Sequence, residues 1–172
     1  MKRRAWLAAG LACAAVAGGI GWRIWDRLGG AGSHDAADLW RMRFPRPEGG
    51  EIEMAALRGR PLLLNFWATW CPPCIREMPE LDTFARRHAA SGWLVLGLAV
   101  DNPLAVREFL AKSPVSYPVG VVGLEGAELS RRLGNERGGL PFSVVFARDS
   151  RPVARKLGET KPELLRDWAA RY

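Results

Sequence analysis

The spacing of apolar positions changes from segment to segment along this chain, and each change marks an element. Arg60-Pro61 introduces Leu62-Leu63-Leu64-Asn65-Phe66-Trp67, a nearly unbroken apolar run that predicts a strand buried on both faces. Trp93–Val100 is a second such run, closed by Asp101-Asn102-Pro103, and Phe142–Ala147 is a third. Shorter strands are expected at Leu39–Phe44, where alternation is weak and suggests an edge, at Glu51–Met54 after the turn Pro45–Gly50, and at Tyr117–Val122. Asp149-Ser150 turns the third long run into Val153–Leu157 as a hairpin. Helical spacing fills the intervals: Pro72 to about Ala90, Leu104–Lys112, Glu125–Leu133 closed by Gly134, and Pro162–Arg171 opened by its proline. Strands alternating with helices, ending in a hairpin and a helix, predict an α/β domain of three layers around a mixed central sheet.

The start of the chain follows another rule. Ala5–Trp22 is an uncharged run of 18 residues behind Lys2-Arg3-Arg4. It is just long enough to cross a bilayer at about 1.5 Å per residue. The more basic N-terminal flank predicts a cytoplasmic N-terminus and export of the remainder. A single-pass signal anchor over residues 1–28 is favoured, because it leaves Trp22 and Trp25 at the membrane interface. The alternatives are cleavage after Ala15-Val16-Ala17 and lipoprotein processing before Cys13. Residues 29–38 are small and polar, as in a flexible tether, and residues 39–172 form the domain. The domain is therefore expected outside the cytoplasm, in the periplasm or its equivalent.

Charge changes this picture little. The formal charge of the 172-residue chain is +7. Lys2, Arg3, Arg4, Arg23 and Arg27 against Asp26 place much of that excess in the first thirty residues. The domain has no basic cluster interleaved with aromatics, so nucleic acid is not expected as a partner.

Export does change the reading of the cysteines. Cys13 lies in the membrane segment, which leaves Cys71 and Cys74 alone in the domain. A bridge closing so short a loop removes little chain entropy and makes a poor staple. A closed zinc site needs four ligands, and only His34 and His88 could join the two cysteines. A redox pair remains. Cys71 falls where a buried strand turns into a helix, so unpaired backbone N–H groups and the helix dipole favour its thiolate, the attacking species. Pro72 and Pro73 suit the first helical positions but bring no N–H toward Cys71. Its thiolate is thus only moderately stabilised, which favours a reductant over a strong oxidant.

At 100° per residue, Cys74, Glu77, Met78, Leu81, Phe84, Ala85 and His88 share one stripe, with Arg76, Glu80 and Arg87 on other faces. Glu77 is thus an acid in an apolar row, one turn from Cys74. Either it sits at the stripe's edge and reaches water, or it is buried with a raised pKa and exchanges protons with the cysteines. Pro79 should kink this helix.

The stretch Asn65-Phe66-Trp67-Ala68-Thr69-Trp70-Cys71-Pro72-Pro73-Cys74, with Glu77-Met78-Pro79 behind it, resembles membrane-anchored thioredoxin-like proteins of the TlpA/ResA type. The resemblance covers about residues 37–172. It implies a thioredoxin-like fold with an added N-terminal hairpin. It also implies a catalytic set of Cys71 as attacking thiol, Cys74 as resolving thiol and Glu77 as active-site acid. Gly138-Gly139-Leu140-Pro141 looks like the family's cis-proline loop, so Leu140 and Pro141, with Trp70 and Pro72, are expected to meet the substrate. Asn65 replaces the acid that cytoplasmic thioredoxins carry there. The expected activity is reduction of disulfides in exported proteins, such as apocytochromes c or copper-site proteins, by a monomer. It needs no cofactor, and a DsbD- or CcdA-type membrane carrier would return the electrons. The alternatives are a redox-inert metallochaperone holding copper with Cys71, Cys74 and Met78, and a thiol oxidase.

Overall fold

Long apolar runs become central strands here, and short ones become edges. The computed structural model describes residues 37–172. The expected anchor and most of the tether lie outside the described residues, among which no helix is long and apolar enough to cross a membrane. Arg43–Pro45 (β1) and Glu51–Glu53 (β2) pair antiparallel as a small hairpin. Leu62–Trp67 (β3), Leu94–Ala99 (β4) and Val119–Val121 (β5) are parallel neighbours. Phe142–Phe146 (β6) and Pro152–Leu157 (β7) continue the sheet antiparallel, giving the order β5-β4-β3-β6-β7. The helices are Pro72–His88 (α1), Pro103–Lys112 (α2), Glu125–Arg132 (α3) and Pro162–Arg171 (α4). α1 runs through Pro79 without interruption.

The expected three-layer arrangement is present, and the alternation along the strands shows how it is divided. Leu63, Trp67, Val95, Ala99 and Val145 point to a core shared with α1, α2 and α4, which also contains both cysteines. Leu62, Leu64, Phe66, Leu96, Leu98 and Val144 point the other way, toward α3, the hairpin and the first residues of the domain. Both faces of β3 are therefore covered, which explains its continuous apolar pattern.

One expected element differs. Leu39–Phe44 is not a strand: residues 37–39 form a helical turn, and β1 begins only at Arg43. Leu39 and Trp40 are adjacent in sequence and both buried, which a strand's two-residue alternation does not allow against one core. A turn closed by Arg41 N–H to Asp38 O and Met42 N–H to Leu39 O buries both side chains.

The hairpin rests directly on β5. A β-carbon at Gly120 would lie 2.9 Å from Phe44 Cβ and 3.1 Å from Leu98 Cδ2, so this strand position must be glycine for β1 to seat. Gly120→Ala is expected to lower stability by about 1–3 kcal/mol through overpacking, despite alanine's better strand propensity. Urea unfolding of the two proteins measures the difference.

Candidate active site

β3 delivers the chain to Cys71, and the geometry there follows from the helix start. Cys71 is the N-cap of α1, with extended backbone at φ −104° and ψ 98°. Its carbonyl accepts the first helical bond from Ile75 N–H at 3.2 Å. Its Sγ accepts from Cys74 N–H at 3.3 Å, and Pro72 and Pro73 fill the two intervening positions. Cys71 and Cys74 form a disulfide with their Cα atoms 5.3 Å apart. Both are buried. The loop ahead of them is held from the segment that follows β4: Asp101 Oδ2 accepts from Thr69 N–H at 2.9 Å and Thr69 Oγ1–H at 2.6 Å. Burial alone would raise the Asp101 pKa, but these bonds and one from Asn102 N–H hold it below the usual carboxylate range.

Of the two positions open to Glu77, the structure adopts the buried one. Glu77 is 1% exposed. Its Oε1 accepts from Asn65 Nδ2 at 2.7 Å, and its Oε2 accepts from Thr160 N–H at 2.6 Å. Asn65 Nδ2 also donates to Ser143 Oγ at 3.0 Å, and Thr160 Oγ1 lies 3.5 Å from the same hydroxyl. Loss of hydration raises the Glu77 pKa to about 7; the hydrogen bonds from Thr160 and Asn65 oppose the rise, and the charge of Glu159 adds to it. A carboxyl group with that pKa gains and loses a proton near neutrality.

Sequence reasoning placed Cys71, Cys74 and Glu77 on one helix but missed the residues that hold them. Asn65 and Ser143 are polar interruptions of two apolar runs, and β3 pairs with β6 so that they face each other. That shared interruption was a usable signal. Thr160 acts through a backbone N–H, which leaves no signature in sequence. Asp82, also missed, is buried in α1 and accepts from Ser116 N–H and Oγ–H, both at 2.6 Å, and from Arg86. Tyr117 lies in the cysteine-bearing core; burial pushes its phenol well above the usual range, and the charges of Glu77 and Asp82 add to the rise.

The surface residues divide by exposure. Trp70 is 65% exposed beside the buried Cys71, and Pro72 is exposed as well. The Leu140–Pro141 bond is cis, as the resemblance of this loop implied. Pro141 is buried, its carbonyl accepting from Gly158 N–H at 2.8 Å, while Leu140 packs against the core that contains both cysteines.

Known proteins resemble this chain in sequence and in fold. The redoxin family matches residues 41–168. A thiol–disulfide oxidoreductase ResA of Bacillus thuringiensis (strain Al Hakam) is 31% identical over 122 residues, which cover 70% of this chain and 68% of the relative. A secreted thiol–disulfide isomerase from Corynebacterium glutamicum superposes with a TM-score of 0.67 at 24% identity, covering 76% of this chain and 82% of that one. StoA from Bacillus subtilis superposes with a TM-score of 0.60 at 21% identity, covering 74% and 94%.

The Glu77 carboxyl makes a pH prediction with a definite sign. Its folded pKa is raised, so the folded state holds a proton that the unfolded chain releases above its ordinary value of 4.5. The stability that this retained proton provides is complete below pH 4.5 and is lost as pH rises through about 7. The loss is on the order of 3 kcal/mol. Glu77→Gln removes the titration, so the difference in unfolding free energy between the two proteins should change by roughly that amount across the window. Denaturant unfolding at a series of pH values gives this difference, and parallel curves would contradict it.

Proposed function

The chain belongs to the redoxin family and is a thiol–disulfide oxidoreductase, and we propose that it works as a membrane-tethered reductant of exported proteins. The observation that carries the reductant reading is the environment of Cys71 Sγ. Cys74 N–H is the backbone donor that reaches it, because Pro72 and Pro73 have none. A helix N-terminus lowers a thiol pKa, but fewer donors limit the fall. A less stabilised thiolate holds its electrons less firmly and passes them to a substrate disulfide.

The cycle balances without a cofactor. Cys71 thiolate attacks one sulfur of the substrate disulfide, forming a mixed disulfide and releasing the other substrate sulfur as a thiolate that takes a proton. Cys74 loses its proton and attacks Cys71 Sγ, which frees the second substrate thiol and closes the Cys71–Cys74 bond. Two electrons and two protons pass to the substrate. Glu77, at the same helical stripe as Cys74 and with a pKa of about 7, is suited to accept the Cys74 proton. Trp70 and Pro72, exposed beside Cys71, meet the substrate chain together with the loop of Leu140 and the buried Pro141. Two electrons must then return from a membrane carrier of DsbD or CcdA type. Apocytochromes c and copper-site proteins are the substrate classes that require such reduction outside the cytoplasm.

Insulin reduction by the full chain with dithiothreitol tests the activity. Cys74→Ser should abolish turnover yet accumulate mixed disulfides through Cys71, whereas Cys71→Ser should form neither product nor adduct. Adducts on the Cys71 variant would reverse the two roles. The tether has its own check. An anchor in residues 1–28 makes the full chain resist carbonate extraction from membranes, and a soluble product beginning at Gly18 would rule against it.

A further inference from the structure

Among the described residues, the large apolar side chains that stand exposed are Trp70 at 65%, Leu104 at 52%, Leu124 at 89% and Leu157 at 38%. All four lie at the same end of the sheet. Trp67, Ala99 and Val121 are register partners across β3, β4 and β5. Trp70, Leu104 and Leu124 come three, five and three residues past that row. On the other side, Leu157 faces Phe142, and Phe142 faces Phe66. Cys71 sits at this same end, directly after Trp70. The parallel-strand side is firmly held, with Val100 N–H bonded to Trp67 O at 2.8 Å and Val122 N–H to Ala99 O at 2.9 Å. A cavity of about 510 Å³ opens at the start of α3, beside the residues that precede Leu104 and flank Leu124; Met42, Phe44, Pro103, Val122 and Leu129 wall it, and Arg43, Glu125 and Arg132 line it as well. It has room for a leucine or phenylalanine side chain.

We infer that the rim from Trp70 through Leu104 to Leu124 docks the cysteine-bearing segment of a partner protein with large apolar side chains near its cysteine. The inference rests on the reading above that Cys71 attacks protein disulfides. The preceding part of this chain joins the fold elsewhere. Trp40 Nε1 donates to Ser150 O, and its ring packs on Phe146, which faces Leu62, the first residue of β3. That is the end of the sheet away from Cys71, so Trp40, near the start of the described chain, does not cover the rim. The span sets the spacing. β5 lies two strands from β3, about 10 Å at about 4.8 Å per strand, and an extended chain covers that in three or four residues. The partner's apolar residues thus belong three or four positions from its cysteine.

The test uses two peptide probes, each a disulfide dimer through one central cysteine, with leucine or serine at the third and fourth positions on either side. Pre-reduced full chain in detergent is mixed with each dimer, and tryptophan fluorescence follows the single turnover in which the enzyme dithiol is oxidised and two peptide thiols are released. The wild type should react with the leucine probe at least about tenfold faster than with the serine probe. In the Leu104→Asp/Leu124→Asp variant the ratio should fall to within about twofold, because two exposed anchors are gone. Both positions are solvent-facing, and thermal melts of the variant check its folding. Equal wild-type rates, or an undiminished ratio in the variant, overturn the inference. So does a preference present in detergent but lost in phosphatidylcholine–phosphatidylglycerol vesicles, which would assign the rim to the bilayer. Reduction of neither probe nor insulin by the wild type would overturn the catalytic reading itself.

Discussion

A carboxyl group removed from water must find hydrogen-bond donors inside the protein, and at Glu77 that requirement organises the surroundings of the cysteines. One oxygen is met by Asn65 on β3 and the other by the backbone of Thr160 between β7 and α4. Asn65 in turn needs its own orientation fixed, which Ser143 on β6 provides. Two strands of the sheet and the loop before α4 are thereby tied to the first two turns of α1. Next to this clamp, Arg76 and Glu159 pair at 3.1 Å on the surface, so consecutive residues of α1 grip consecutive residues of the loop. The helix that carries Cys71 and Cys74 is thus fixed by contacts that also leave one proton exchangeable near neutral pH.

The two prolines act in the opposite sense, by withholding donors. A helix N-terminus offers unpaired N–H groups to whatever lies ahead of it. Here the first two positions are prolines, and the Cys74 N–H is the one that reaches Cys71 Sγ. The thiolate gains the helix dipole and one close donor, while the nearby acid is not a permanent negative charge because its pKa stands near 7. A nucleophile that is available at neutral pH but not strongly stabilised is what a reductant requires.

Much of this was legible in the sequence because it rests on local signals. The strand before Cys71, the helix after it, and the stripe that joins Cys74 to Glu77 all follow from apolar spacing and the positions of prolines. The cis bond at Pro141 came from the resemblance of its loop, not from spacing. What stayed hidden is non-local. The bond from Asn65 to Ser143 spans 78 positions and depends on strand register. The donor at Thr160 is a main-chain group that any residue but proline could supply. The turn at residues 37–39 replaced an expected strand because Leu39 and Trp40 both find room under the same face of the sheet. The gathering of Trp70, Leu104, Leu124 and Leu157 at one end likewise becomes visible only when the strands are laid in order.

The central claim is that a lightly stabilised Cys71 thiolate makes this dithiol a reductant, and the reduction potential of the Cys71–Cys74 pair tests it most directly. Equilibration of the full chain against glutathione and dithiothreitol buffers, read by alkylation of the free thiols, gives that potential. The account predicts a value at or below about −230 mV, in the reducing range that includes thioredoxin at about −270 mV. A potential near about −120 mV, that of a strong thiol oxidant, would contradict it.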